Sequence, residues 1–208
     1  DQDEIFDFNA QYQKPKLFKP PFNATWSVGF PKSRRIPSAR AGHFTIIDDE
    51  KQKVYIGYGT SYNNSLMSDL WQFDLETMEW SEIKLNNPRP KNGCRGSLYF
   101  PLRENSKIIL FGGYANGMYS NETQVIDICT GDVSVLQTSG EIPDPRSTPI
   151  AAIHQDKLFI WGGYNKQWPI DISVLDLQTL NWSVIHQNEK GRTSIPYIFN
   201  KDKGEIIS

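Results

Sequence analysis

Residues 107–117, KIILFGGYANG, and residues 157–167, KLFIWGGYNKQ, are two versions of one phrase: a lysine, a four-residue apolar run, two glycines and a tyrosine. A third version, KVYIGYG at 53–59, puts Tyr58 where the others have the first glycine, while Gly59 keeps the second. Lys53, Lys107 and Lys157 lie 54 and 50 residues apart, a period at which stacked structural units are expected. A second marker shares the period. Asp74, Asp127 and Asp176 each close an apolar run, and six residues later comes Trp80, Val133 or Trp182.

Around these markers the local pattern is strand. HFTII, KVYIG, DLWQF and EWSEI are short, rich in aromatic and β-branched residues, and separated by turn-forming clusters such as DDEKQ, LETM, ICTGD and LQTLN. No stretch has the periodicity of a three-turn amphipathic helix. Each period supplies four such runs, in the first at roughly residues 43–48, 53–58, 69–75 and 78–84. Four antiparallel strands per period predict one twisted sheet per repeat, and a radial stack of such sheets is a β-propeller.

An arginine, a glycine doublet ending the second strand, an acidic residue ending the third and a tryptophan in the fourth occur in order in RAGHFTI, KVYIGYG, DLWQFD and EWSEI. Over about residues 26–208 the chain resembles the kelch-repeat proteins. Its departures are Tyr58, Val133, and an Arg146-Ser147-Thr148 run without Gly-His. The resemblance implies an all-β, kelch-type propeller of four-stranded antiparallel blades over 23–208. Blades are expected at about 40–88, 95–143 and 146–190, with an incomplete one at 192–208, after an extended arm at 1–22. Three full blades fall short of the family's six or seven. The expectation is therefore a fragment whose remaining blades come from another segment of the chain or another chain, with Trp26 on a strand that helps close the ring.

The repeat decides how the glycines are read. Gly59, Gly112, Gly113, Gly162 and Gly163 are expected to serve as scaffold, allowing positive φ and close approach between neighbouring blades. A phosphate cradle would need a helix after them, and none is predicted. Trp26, Trp80 and Trp182 are expected to pack between blades.

Composition narrows the function classes. With 22 Lys and Arg against 24 Asp and Glu, no net field attracts nucleic acid. No apolar run is long enough for a membrane-spanning helix. Cys94 and Cys129 have no metal-ligand spacing and fit a reducing, cytoplasmic compartment, whereas sequons at Asn23, Asn63, Asn121 and Asn181 point the other way, so localisation stays open. His43, His154 and His186 lack metal-ligand spacing, and no hydrolase elbow or phosphate loop is present. No metal, cofactor or catalytic residue is assigned.

In kelch-type blades the loops between second and third strands share a face with the connections between blades. Here those loops are TSYNNSLMS, YANGMYSNE and YNKQWP, carrying Tyr62, Asn63, Tyr114, Asn116, Tyr119, Tyr164, Asn165 and Trp168. Tyr, Trp and small polar residues suit protein recognition. Arg95 and Arg146, from the interblade connections, are expected to add charged hydrogen bonds to an acidic partner. The expected function is a protein-interaction scaffold or adaptor that binds another protein or peptide through this face. The alternative is the propeller part of an enzyme with a metal or small-molecule site near the central axis.

Overall fold

The structure is a computed structural model and describes residues 31–48, 50–88, 98–102, 106–185, 198–200 and 205–207. The chain divides into two compact units, Asp1–Phe30 and Pro31–Ser208, and every described residue belongs to the second. The arm at 1–22, Trp26 and Arg95 lie outside the described residues.

Strands β1 (Phe44–Asp48), β2 (Lys53–Gly57), β3 (Leu70–Asp74) and β4 (Glu79–Ile83) form an antiparallel sheet in sequential order. These bounds agree with the sequence expectation to within a residue. In the second sheet, β5 (Leu98–Leu102) and β6 (Lys107–Phe111) precede a small hairpin of β7 (Tyr114–Ala115) and β8 (Met118–Tyr119), and β9 (Thr123–Asp127) and β10 (Val133–Val135) complete it. The third sheet contains β11 (Ser139–Gly140), β12 (Ile150–His154), β13 (Lys157–Trp161), β14 (Ile172–Asp176) and β15 (Asn181–Ile185). A further hairpin pairs β16 (Ile198–Asn200) with β17 (Glu205–Ile207), within the copy expected at 192–208. The described residues contain no helix.

The recurring sequence markers are cross-strand partners. Lys53 pairs in register with Asp74, Lys107 with Asp127 and Lys157 with Asp176. Each aspartate then organises the turn leaving its strand, its Oδ1 accepting the backbone N–H groups two and three residues on at 2.8–3.0 Å. Met78 and Leu180 close two of these turns with φ of 62° and 57°, at the position that Gly131 occupies with φ 77°.

Two apolar clusters join the sheets. Phe44, Tyr55, Tyr58 and Leu70 of the first meet Ile108, Leu110, Ile126 and Val133 of the second. The opposite side of the second, through Ile109, Phe111 and Val125, meets Leu158, Ile160, Leu175 and Trp182 of the third. A strand packed on both faces is buried along its length: β6 has four consecutive buried apolar residues, and β9 has four consecutive buried residues of which Thr123 and Gln124 are polar. Trp182 is 1% exposed, with its ring 5.4 Å from that of Phe111. Trp80 is half-buried against Phe73, ring centroids 4.8 Å apart.

Tyr58 takes the left-handed conformation (φ 58°) that Gly112 and Gly162 adopt at the same repeat position (φ 70° and 65°). That conformation costs a non-glycine residue about 1–2 kcal/mol. Burial of the aromatic ring, in edge contact with Phe44, offsets the cost. At Gly112 no side chain fits, because a Cβ would lie 2.5 Å from the carbonyl oxygen of Arg146 in the next blade.

The blade boundaries need one correction. Ser139–Gly140, expected in the second blade, pairs in parallel with β15 of the third. Ser139 N–H donates to Leu180 O and Glu141 N–H to Trp182 O, both at 3.0 Å. The same device recurs ahead of the first two sheets: Asn86 bridges in parallel to Asp132, and Lys32 N–H donates to Met78 O at 2.8 Å. In these three blades the incoming segment therefore bonds along the outermost strand of the sheet it is about to enter or the turn leading into it, satisfying edge groups that would otherwise be open. Repeat spacing cannot show this, because the pairing involves a turn-like segment with no strand pattern.

Candidate interaction face

The connections 58–69, 112–122 and 162–171, between second and third strands, share a face with the interblade segments. Ala41 bridges to Thr60 and Ser147 to Tyr164, while Gly113 N–H donates to Arg146 O at 2.8 Å.

A buried arginine pins this face in two blades. Arg40 donates to both carboxylate oxygens of Asp69 at 2.7 and 2.8 Å and to Tyr58 O at 3.2 Å. Arg146 repeats the pattern with Asp171 at 3.0 and 3.1 Å and with Gly162 O at 3.2 Å. Partial burial by itself raises the Asp69 and Asp171 carboxyls, but the arginine hydrogen bonds, those from Trp71 and Ser173, and the guanidinium charge hold both below the ordinary carboxylate value. Arg146, expected to reach a partner, is 1% exposed and fully engaged inside the fold. It fastens the interblade segment to the loop and forms no part of the accessible surface. In the second blade Glu122 stands at the aspartate position and accepts from Gln124 Nε2 at 2.7 Å.

Above these pins the aromatic residues converge. An Asn-Gly turn, with φ of 51° at Asn116 and 83° at Gly117, closes the β7–β8 hairpin in the manner that suits the twist of a two-residue loop. The hairpin sets Tyr114 opposite Tyr119, with rings 4.8 Å apart. Tyr119 meets Tyr164 of the third blade edge to face at 6.0 Å, and Tyr164 meets Trp168 at 5.6 Å. Four rings thus form a continuous ladder across two blades. Trp168 is 59% exposed, and Met118, beside the ladder on the hairpin, 70% exposed. Partial desolvation, then the Tyr164 and Tyr114 phenols, raise the Tyr119 hydroxyl above its ordinary value.

The structure thus brings together Tyr114, Tyr119, Tyr164 and Trp168. Tyr62 stands in the first-blade loop, 95% exposed and outside the ladder. The asparagines shape the loops. Asn63 Oδ1 accepts from Ser61 Oγ and Ser65 N–H, Asn165 Oδ1 accepts from Gln167 N–H at 3.3 Å, and Asn116 forms the hairpin turn. Met118 was not singled out by the sequence, although the Asn-Gly pair between aromatic residues is the signal that exposes it. Among the described residues no three His, Cys, Asp or Glu side chains are grouped to hold a metal, and no helix is long and apolar enough to cross a membrane.

Residues 18–197 match the family model described as the KLHDC2/KLHL20/DRC7 Kelch-repeats domain. The chain is 28% identical over 179 residues to acyl-CoA-binding domain-containing protein 4 of Arabidopsis thaliana, covering 85% of this chain and 26% of that protein. It is 25% identical over 175 residues to kelch domain-containing protein 10 of Homo sapiens, covering 76% and 38% respectively. With kelch domain-containing protein 1 of Mus musculus it is 21% identical over 187 residues, covering 74% and 45%. The chain therefore spans less than half the length of these relatives. The family match takes in all three described blades, the glycine doublets of the second and third and the arginine pins, and with four antiparallel strands in each blade the chain belongs to the kelch-repeat family as an all-β, kelch-type β-propeller.

Proposed function

We propose that this protein is an interaction scaffold that captures another protein or peptide through the loop face of its second and third blades. The observation that supports the reading is the Tyr114–Tyr119–Tyr164–Trp168 ladder, an aromatic surface assembled from two loops, with three half-buried tyrosines and an exposed Trp168, held over a pinned base. Aromatic side chains supply contact area at low cost in rotamer entropy, and a rigid base reduces the ordering needed on binding. Kelch-repeat proteins commonly serve as protein-interaction scaffolds, which agrees with this reading.

The test is affinity capture with the full-length protein, followed by titration of each recovered partner. Tyr119→Ala and Trp168→Ala should weaken capture, one of them by roughly thirtyfold, as truncation of a hot spot costs about 2 kcal/mol. Lys51→Ala and Glu76→Ala, in turns at the opposite ends of the strands, should leave it unchanged. Loss of capture with the turn substitutions and not with the aromatic ones would refute the assignment of the face.

A further inference from the structure

We infer that the aromatic ladder recognises a proline-rich segment in the polyproline II conformation, a reading that rests on the interaction face proposed above. The first argument is electrical complementarity. No charged side chain takes part in the ring contacts, although Lys166 lies exposed in the loop between Tyr164 and Trp168. Within the described residues, the hydroxyls of Tyr114, Tyr119 and Tyr164 and the indole N–H of Trp168 make no hydrogen bond, so four donors stand ready beside four apolar rings. A ligand suited to this surface is neutral, apolar and rich in acceptors. A proline-rich strand fits, because its carbonyls have no partner within the helix and each proline lacks an N–H.

The second argument is shape. Successive rings are inclined at 51°, 77° and 57°, so they form a run of notches. A planar base or a pyranose needs a flat stacking platform, which this arrangement does not offer. A polyproline II helix presents a ridge, repeating every three residues or roughly 9 Å, that lodges between inclined rings. The ring steps of 4.8, 6.0 and 5.6 Å are each shorter than that repeat, so one turn of the helix spans more than one ring step. The preformed helix also loses little entropy on binding.

The experiment is calorimetric titration of the full-length protein with the blocked peptide acetyl-PPLPPLPPL-amide, and with its twin carrying glycine at every proline. The proline peptide should saturate below about 1 mM, its affinity should change little between about 0.05 and 0.5 M salt because no ion pair is involved, and the glycine twin should bind at least tenfold more weakly. Trp168→Ala and Tyr119→Ala should each cost tenfold or more. Tyr119→Phe, which keeps the ring and removes the donor, should cost several-fold with an unchanged melting temperature. No saturation by the proline peptide, equal binding of the twin, or binding that survives both alanine substitutions would overturn the inference. So would saturation by cellohexaose with none by the peptide, which would make the ladder a sugar platform. If the peptide fails while the same substitutions still abolish capture of a protein partner, the polyproline inference falls and the interaction-face reading stands.

Discussion

Replacing Gly112 by alanine should be far more damaging than replacing Gly117, although both have positive φ, of 70° and 83°. An L-residue in that region costs about 1–2 kcal/mol, and Gly117→Ala should cost only this, because nothing lies within 4 Å of a Cβ built there. At Gly112 the added Cβ would sit 2.5 Å from Arg146 O. That carbonyl cannot easily retreat. It accepts from Gly113 N–H at 2.8 Å, Arg146 N–H is tied to Ser120 O at 2.9 Å, and the guanidinium is held by both oxygens of Asp171. Forcing a methyl into such a site adds about 1–3 kcal/mol, so Gly112→Ala should destabilise by roughly 2–5 kcal/mol in all. Urea unfolding of the full-length protein measures both variants, with the m-value checking that the transition stays cooperative. If the two differ by less than about 0.5 kcal/mol, the interblade contact is not what requires glycine. If Gly112→Ala keeps its stability and loses a bound ligand instead, the doublet is a cradle and the scaffold reading is wrong.

Trp182→Ala should cost about 3–5 kcal/mol, as a fully buried ring is removed, and Trp80→Ala, half-buried at the same repeat position, should cost clearly less; equal losses in thermal melts would contradict the packing described. Met78→Gly should raise stability by about 0.5–1 kcal/mol by relieving a left-handed residue where Gly131 already stands, and a lower denaturation midpoint would refute this. The carboxyls of Asp69, Asp127, Asp171 and Asp176 lie below the ordinary value, and the Lys53 hydrogen bond, with backbone N–H donors, brings Asp74 from 3.8 to about 2. A depressed folded pKa contributes stability above the unfolded value that is lost as pH falls through the folded one. Denaturation midpoints should therefore fall for Asp74 between pH 3.8 and about 2, and a profile flat across that window would show that these aspartates are not held as described.

The strands were legible because they follow from side-chain period and turn chemistry, both local. The same was true of the Lys-to-Asp clause, whose members proved to be register partners such as Lys53 and Asp74. Sequence alone directs Arg146 toward solvent because its partner is set by loop length. Arg40 finds its aspartate 29 residues on and Arg146 finds its own after 25, so no fixed spacing announces the pair. The loop aromatics could be named from composition. Their order in the ladder could not, because Tyr119 meets Tyr164 across a blade boundary that only the folded stack creates. Repeat spacing places Ser139–Gly140 in the second blade and misses its pairing with the third for a related reason: a segment bound along a neighbour's edge carries no side-chain alternation of its own.

That edge pairing and the arginine pin lie on one connection, and together they explain how loops can hold a defined surface. Between the second and third blades the chain first binds the outer strand of the third through Ser139 and Glu141, with Val184 N–H donating to Glu141 Oε2 at 3.1 Å. It then returns across the loop face, where Asn121 Nδ2 donates to Pro143 O at 3.1 Å, and ends at Arg146, fixed to Asp171. Both ends of the connection are thereby anchored to the blade being entered, while Gly113 and Ser120 of the blade being left bond to the Arg146 backbone. The β7–β8 hairpin that carries Tyr114 and Tyr119 is consequently tied at its base to the blade that carries Tyr164 and Trp168. A shift of one blade against the other would have to break hydrogen bonds at Arg146 before it could part Tyr119 from Tyr164. Preorganisation of the ladder is thus a consequence of how the blades are joined.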